Sequence, residues 1–193
     1  MEIPELTYDA FTGLEAAIVL IAFVVVAAVF SYVILGAGFF TTQKSQEVIH
    51  TSVDTASSTI GIAGNVYGIS NSGGSKIDMI NFSVTLAAGG TSIDFEKVVV
   101  TYSNSTQLNV LTPVAGWRGT PTSGTWAITE ADNEIGESNN LLQKGEMYTI
   151  TAYPPEGPIK NDAFTLEVRP SKGSTVGISR TVPASISPVN ILY

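Results

Sequence analysis

The feature that most constrains this 193-residue chain is an uninterrupted apolar run near its N-terminus, residues 16–35, which contains no charged side chain. At about 1.5 Å of rise per residue, an α-helix over this run would span roughly 30 Å, the hydrocarbon thickness of a bilayer. A helix that is apolar on every side must lie in lipid or be surrounded by other apolar helices. The rest of the chain therefore has to be explained together with this segment.

Composition excludes several functional classes. The net charge is −8 and there are only nine Lys and Arg residues, so a nucleic-acid partner is not expected. The chain has no cysteine and one histidine, His50, which excludes disulfides, thiolate zinc sites, multi-histidine metal sites and a cysteine nucleophile. No catalytic motif is present. We expect neither an enzyme nor a protein that holds a cofactor or a metal.

A short acidic leader precedes the run. Residues 1–10 contain three acidic residues and no Lys or Arg, whereas a secretory signal begins with basic residues and is cleaved after its apolar core. Here the small residue suited to cleavage, Ala10, lies before the run. A cut between Ala10 and Phe11 would keep the apolar helix in the mature protein. A cut between Gly13 and Leu14 is the second possibility.

The order of residues around the run resembles a known family. Ala10 is followed by Phe-Thr-Gly-Leu-Glu, which places Glu15 at the fifth position after the predicted cut, and this pattern is similar to the class III signal of type IV pilins and archaeal flagellins. Residues 13–45, GLEAAIVLIAFVVVAAVFSYVILGAGFFTTQKS, resemble the core helix of archaellins, the subunits of the archaeal swimming filament. The resemblance implies a structural subunit of the archaeal flagellum filament, used for swimming motility.

The same resemblance implies the partners and the location of the chain. A prepilin-type signal peptidase would remove the leader, and a precursor would be inserted transiently in the cytoplasmic membrane. A membrane assembly and motor complex would supply the force. The mature chain would lie in an extracellular surface filament, packed against identical or homologous subunits.

Two roles are open for Glu15. The resemblance implies that its carboxylate neutralises the new amino group of Phe11, on the same or a neighbouring subunit, during assembly. Independently, an acid in the first turn of a helix is favoured by the helix dipole by about 0.3–1 kcal/mol. The two roles are compatible with each other.

The helix is predicted to continue past the run to residue 62. Ile49, Val53, Ala56 and Ile60 recur at spacings of three and four, which is typical of an apolar helical stripe. From residue 14 to residue 60 this helix would be roughly 70 Å long, more than one bilayer requires. Its length favours a polymer of packed helices over an ordinary membrane anchor.

Small side chains along this helix would allow neighbouring helices to approach closely. They include Ala22, Ala27, Ala28, Ser31, Gly36 and Gly38. Glycine costs about 1 kcal/mol relative to alanine inside a helix, so two glycines within three residues favour a bend or break. Close packing against a neighbour is the equally weighted alternative.

From residue 66 onward the apolar period changes to two, which is typical of β-strands. Alternating groups are Ile80, Phe82, Val84 and Leu86; Ile93 and Phe95; Val98, Val100 and Tyr102; Leu108 and Val110; Trp126 and Ile128; Tyr148 and Ile150; Phe164, Leu166 and Val168; Val176 and Ile178. Seven or eight short strands separated by turn-rich segments favour an antiparallel, immunoglobulin-like β-sandwich. We therefore predict an α+β chain with a leader over 1–10, a filament-core helix over 11–62 and a β-sandwich outer domain over 63–193.

Two further features of the outer domain are candidate sites. Asn81 and Asn104 match the N-glycosylation pattern, and Asn104 is favoured because it lies at a predicted strand end. The acidic stretch over residues 130–137 could collect calcium or be a solvated loop, and the solvated loop is favoured because the stretch lacks the spacing of a calcium-binding loop.

Two other functions remain open at this point. An adhesive type IV-like archaeal pilin would share the leader and the helix. A membrane-anchored β-sandwich that binds a sugar or another solute would be a monomer in detergent, whereas a filament subunit would form a sedimenting polymer.

Overall fold

The computed structural model describes the chain over residues 6–71, 73–87 and 90–193, and the side chains of residues 6–12 and 57 lie outside that description. The chain divides into two compact units, Met1–His50 and Thr51–Tyr193. The described part of the first unit is helical, and the second unit contains the strands.

A single long helix, α1, extends from Leu6 to Ser57 over 52 residues. At about 1.5 Å per residue its length is about 78 Å. The α-helical backbone continues through Gly36 and Gly38. The break predicted as one outcome of these glycines is therefore wrong within the described helix.

The helix ends five residues earlier than the predicted boundary at 62, which lies inside the first strand, β1 (Ile60–Ile69). The spacing from Ala56 to Ile60 fits a helical stripe, but Ile60 is buried in the core of the sheet domain. The last turn closes through two hydrogen bonds. The Ser58 amide donates to the Asp54 carbonyl at 2.9 Å, and the Thr59 hydroxyl donates to the Ala56 carbonyl at 3.4 Å. Burial of Ile60 thus outweighs its helical spacing.

Ten further strands follow β1 in the described part of the chain. They are β2 (Met79–Leu86), β3 (Ile93–Asp94), β4 (Val99–Asn104), β5 (Leu108–Arg118), β6 (Thr125–Asp132), β7 (Leu141–Leu142), β8 (Met147–Tyr153), β9 (Ala163–Arg169), β10 (Val176–Thr181) and β11 (Val189–Leu192). Nine of the strands are hydrogen-bonded in the order β10-β9-β4-β5-β6-β8-β2-β1-β11, and β3 pairs with β7.

Strand β5 connects two sheets. Its first residues, 108–111, pair antiparallel with β4, and its later residues pair in parallel with β6. We call β10, β9, β4 and the first part of β5 the small sheet, and the rest of β5 with β6, β8, β2, β1 and β11 the large sheet. The other strand pairs are antiparallel.

The inward residues of both sheets form one core. Burial alternates along β2 and along β9, as expected for strands with one buried face. Tyr102 and Leu166 of the small sheet belong to the same buried cluster as Val84 and Trp126 of the large sheet. The two sheets therefore face each other, and the predicted class, a long apolar helix followed by a mostly antiparallel β-sandwich, is confirmed.

Two predicted strands differ in detail. The structure buries Leu111 of β5 and exposes Leu108 and Val110, because the register with β4 turns Leu111 toward the core. The expected strand at Ile93 and Phe95 is two residues long and continues as a 3₁₀ turn, Phe95–Lys97. Asp94 caps this turn by accepting a hydrogen bond from the Glu96 amide at 3.0 Å.

Candidate assembly surface and modification sites

The surface of α1 is exposed over residues 13–56, and it is apolar over the run at 16–35. Every side chain from residue 13 to residue 56 is exposed, including the full run at 16–35. The helix is long and apolar enough to cross a membrane, with mean hydropathy 3.1 in its most apolar window. Burying one large apolar side chain stabilises a structure by roughly 1.5–3 kcal/mol. A run of this length therefore strongly favours any arrangement that removes it from water.

The predicted small residues lie on this exposed surface of α1. A side-chain carbon added at Gly36 or Gly38 would meet no atom within 4 Å. Ala22 lines a shallow apolar depression of about 220 Å³ together with Val19, Phe23 and Val26. Ala27 and Ala28 are exposed in the same way. Close packing against a neighbouring helix thus stays a prediction for these residues.

Hydroxyl groups just past the glycines are bonded to the helix itself. The Thr41 hydroxyl donates to the Ala37 carbonyl at 2.8 Å, and the Thr42 hydroxyl donates to the Gly38 carbonyl at 2.9 Å. Such bonds satisfy the hydroxyls without water. This end of the apolar segment can therefore enter an apolar environment without leaving those donors unpaired.

Charged groups are placed at the two ends of the apolar segment. Glu15 is exposed immediately before the run. On the polar half, Lys44 pairs with Glu47 at 2.7 Å, and both side chains are well exposed, so this pair adds at most about 1 kcal/mol. His50 is an exposed residue of the same half. The helix thus carries one carboxylate beside its apolar run.

The predicted cleavage bond between Ala10 and Phe11 falls within the helical backbone of α1. The side chains of both residues lie outside the described residues. The cut and the assembly role of Phe11 stay predictions.

Asn104 ends β4 and organises the loop that follows. Its side-chain oxygen accepts hydrogen bonds from the Thr106 amide, the Thr106 hydroxyl and the Gln107 amide at 3.0, 3.0 and 2.9 Å. This is an Asx-type turn, which fixes the acceptor tripeptide at the surface end of a strand. Ser105 and Thr106 of this turn are exposed, and Asn104 is half-buried.

Asn81 lies in a different environment, in the middle of β2 between Tyr67 of β1 and Thr151 of β8. Its side-chain oxygen is buried and has no hydrogen-bond partner in the described structure. A position flanked by strands on both sides is poorly suited to carry a glycan. Both asparagines stay predicted sites, with Asn104 preferred.

The acidic stretch does not form one cluster. Glu130 and Asp132 belong to β6, whereas Glu134 forms an ion pair with Arg118, whose guanidinium holds the pKa of that carboxyl below its usual range. Among the described residues, no three Asp, Glu, His or Cys side chains are placed to hold a metal ion. The carboxylate of Glu134 is thus used within the fold.

Sequence reasoning missed the residues that hold the connection between β6 and β8. The buried Glu146 carboxylate accepts from the Ile135 amide at 2.8 Å and from the Gln143 amide at 2.7 Å. The Tyr148 hydroxyl donates to the Leu141 carbonyl at 2.8 Å, and burial raises the pKa of Tyr148 to about 12. An acid two residues before a buried aromatic gives no recognisable signal, because its partners are backbone amides, which every residue type except proline supplies.

Comparison with known proteins adds a direct finding. A model of the archaeal-type flagellin family matches residues 10–180, which include most of α1 and of the sheet domain. The chain belongs to the archaeal-type flagellin family. It is 40% identical over 193 aligned residues to probable flagellin 2 of Archaeoglobus fulgidus, an alignment that covers 92% of this chain and 91% of that protein.

Solved structures agree with the family. The archaeal flagellum of Methanospirillum hungatei strain JF1 matches with a TM-score of 0.73 and 35% identity, covering 94% of this chain and 99% of that one. The crystal structure of archaeal flagellin FlaB1 from Methanocaldococcus jannaschii shares the fold, with a TM-score of 0.56, 19% identity, and coverage of 70% and 96%. The resemblance seen in residues 13–45 is confirmed, and with it the role of a structural protein of the archaeal flagellum filament.

Proposed function

We propose that this flagellin is made as a membrane-inserted precursor, loses its leader, and polymerises through α1 into an extracellular swimming filament. The observation that carries the proposal is the helix itself, which is about 78 Å long and exposed over residues 13–56. One bilayer covers only roughly 30 Å of such a helix. Membrane insertion alone would therefore remove only part of α1 from water, whereas packing against other copies would cover its whole length.

The leader would be removed between Ala10 and Phe11 by a prepilin-type signal peptidase. Cleavage before the apolar run leaves the run in the mature chain and creates a new amino group on Phe11. That group is positively charged at neutral pH, because free α-amino groups have pKa values of about 8. Assembly and rotation would depend on a separate membrane complex that supplies the force.

Glu15 is proposed to select the assembled position. A carboxylate costs roughly 2.5–3.5 kcal/mol at the centre of a bilayer and less near its surface, so its place before the run is compatible with membrane storage. Inside a bundle of apolar helices an unpaired carboxylate is strongly destabilising, and pairing with the Phe11 amine of the same or a neighbouring copy removes that cost. Where the amine belongs to a neighbouring copy, an incoming subunit would be held at the position where its Glu15 meets that amine.

The test reverses the charge of Glu15 in the full chain. Glu15→Lys is expected to leave monomers in the membrane and few filaments, as measured by sedimentation and electron microscopy of sheared cell surfaces. Glu15→Gln, which removes the charge without reversing it, is expected to give an intermediate yield. The matched control is Glu137→Lys, the same reversal at an exposed position of the sheet domain outside α1, which should assemble normally. A normal filament yield from Glu15→Lys would remove Glu15 from the assembly mechanism.

Asn104 is proposed to carry an N-linked glycan in the extracellular filament. The Asx-type turn presents its acceptor tripeptide at a strand end, which supports this site over Asn81. Mass spectrometry of sheared filaments should find the added mass on the peptide that contains Asn104, and Asn104→Gln should remove it. An added mass on Asn81 alone would refute the assignment. The same spectra give the mature N-terminus and so test the cut.

A further inference from the structure

Apolar side chains are exposed on the outer face of the small sheet. Val99 of β4 and Leu108 and Val110 of β5 are 42%, 70% and 60% exposed. Leu108 pairs with Ser103 and Val110 pairs with Thr101, and paired residues of antiparallel strands project from the same face. Val99 projects from this face as well, since it precedes Thr101 by two residues. We call Val99, Leu108 and Val110 the small-sheet patch.

A second apolar group lies on the outer face of the large sheet. Tyr67 of β1 pairs with Ile191 of β11, and Val189 lies two residues before Ile191 on the same face. These side chains are 39%, 40% and 62% exposed, whereas the adjacent Leu192 is buried in the core. We call Tyr67, Val189 and Ile191 the large-sheet patch. It lies at an edge of the nine-stranded order, where β11 has a partner strand on one side.

Polar side chains border both patches. Beside the small-sheet patch, the hydroxyls of Thr165 and Ser179 lie 2.9 Å apart. Two charged residues of that face, Glu167 and Arg169, are 4.0 Å apart and offset each other. Beside the large-sheet patch, Asn81 is the direct partner of Tyr67. An apolar centre with a polar rim is the usual anatomy of a protein interface.

A second copy of this chain is the partner that fits both patches. The outer faces of two packed sheets point away from each other, so the patches cannot cover one another within one chain. Copies that meet through two different surfaces form an open helical filament, whereas copies that meet through the same surface form a closed dimer. A flagellin must do the former, and this sheet domain offers one apolar patch on each of its two outer faces.

We propose that the small-sheet patch of one copy packs against the large-sheet patch of the next copy in the filament. The contact rests on the proposed polymerisation, and it adds a sheet-to-sheet interface to the packing of α1. It also explains why β11, an edge strand, carries apolar side chains that would favour aggregation if left open.

Cysteine cross-linking tests the contact in assembled filaments, because the chain contains no cysteine of its own. Filaments are sheared from cells that express Val110→Cys together with Ile191→Cys, imaged, and treated with a short bismaleimide. Each thiol adds across one maleimide double bond, so no oxidant is needed. On a denaturing gel we expect a ladder of covalent multimers that contains most of the protein. A second pair, Leu108→Cys with Val189→Cys, samples the same contact at another point.

Three controls make the result specific. Val110→Cys alone and Ile191→Cys alone should stay monomeric, because neither patch is expected to meet itself. Val110→Cys with Lys144→Cys, which moves the second thiol to an exposed loop position away from the large-sheet patch, should also stay monomeric.

Normal filaments in which both paired variants give only monomers would overturn the contact and leave the proposed function intact. Covalent dimers from Val110→Cys alone would overturn it in favour of a closed contact of the small-sheet patch with itself. Absence of filaments from the unmodified chain would overturn the proposed function, and this contact with it.

Discussion

Replacing Glu146 with Gln is expected to destabilise the sheet domain by about 2–3 kcal/mol, because glutamine has one acceptor oxygen where the carboxylate has two. The Glu146 carboxylate is 1% exposed, and each of its oxygens accepts one backbone amide. These amides belong to Ile135 and Gln143, near the two ends of the connection between β6 and β8. Glutamine keeps one acceptor oxygen and turns an NH₂ group toward the other amide, so two donors face each other.

The magnitude follows from the charge and the burial. A hydrogen bond to a charged group contributes about 1.5–3 kcal/mol net, and a buried donor left unpaired costs about 1–3 kcal/mol. A loss of 1 kcal/mol lowers Tm by roughly 2–4 °C in domains of about 150–250 residues, and the sheet domain is close to that size, so we expect a decrease of roughly 4–12 °C. The larger decrease in Tm is expected if the connection between β6 and β8 detaches completely from the sheet domain.

Thermal unfolding of the full chain in detergent, followed by the near-ultraviolet circular dichroism of the buried Trp126, measures the effect. The matched control is Glu137→Gln, the same substitution at an exposed position of the same connection, which should change Tm by less than about 2 °C. If Glu146→Gln and Glu137→Gln have the same Tm, the two hydrogen bonds from backbone amides to Glu146 do not hold the connection between β6 and β8, and the reasoning fails.

Three further predictions concern the sheet domain. Gly157→Ala should destabilise it by several kcal/mol, because the added carbon would lie 1.6 Å from the Ile77 carbonyl oxygen. The control Gly177→Ala should be tolerated, because its added carbon would meet no described atom within 4 Å. Equal Tm values for the two variants would contradict this prediction. Burial raises the pKa of Tyr148 to about 12, above the value of about 10 for an unfolded chain, so its stabilising contribution is complete below pH ~10 and is lost as the pH rises toward 12. Denaturant midpoints should fall more steeply there than in Tyr148→Phe, and parallel curves would refute the assignment. The hydrogen bond from Lys97 lowers the pKa of Asp94, so its contribution is present above pH ~4 and is lost as the pH falls through the folded value. Lys97→Met should flatten that acid-side slope, and an unchanged slope would count against the pair.

Hydrophobic periodicity predicted most of this fold, because both the apolar run of α1 and the two-residue alternation of the strands extend over many residues. The apolar run and the alternation along β2 were each read correctly from the sequence alone. Boundaries were less predictable where a residue fits both periods. Ile60 continues the helical stripe yet is buried in the sheet core, and only the contacts of the folded domain decide between the two.

Strand pairing was the second feature that could not be predicted from the sequence. Leu108 and Val110 alternate as a buried strand would, but the register with β4 places Leu111 inward instead. The side of a strand that is buried depends on its partner, and a shift of one residue reverses it. The parallel pairing of β5 with β6, the short strand β7 and the edge strand β11 likewise depend on distant segments. The two hydrogen bonds accepted by Glu146 could not be predicted for a different reason, since their donors are backbone amides, which leave no pattern in the sequence.

The exposed apolar residues of the two patches also limit how copies can be arranged. Burial of a helix that is apolar on every side depends little on its rotation or axial shift, because the hydrophobic effect is non-directional. Packing of α1 alone would therefore stabilise many registers almost equally. A unique filament needs features that change sharply with position, and the chain offers two kinds: one carboxylate, Glu15, and two patches on opposite outer faces of the sandwich. In the proposed filament, the helix would supply most of the association energy, whereas Glu15 and the two patches would select the register.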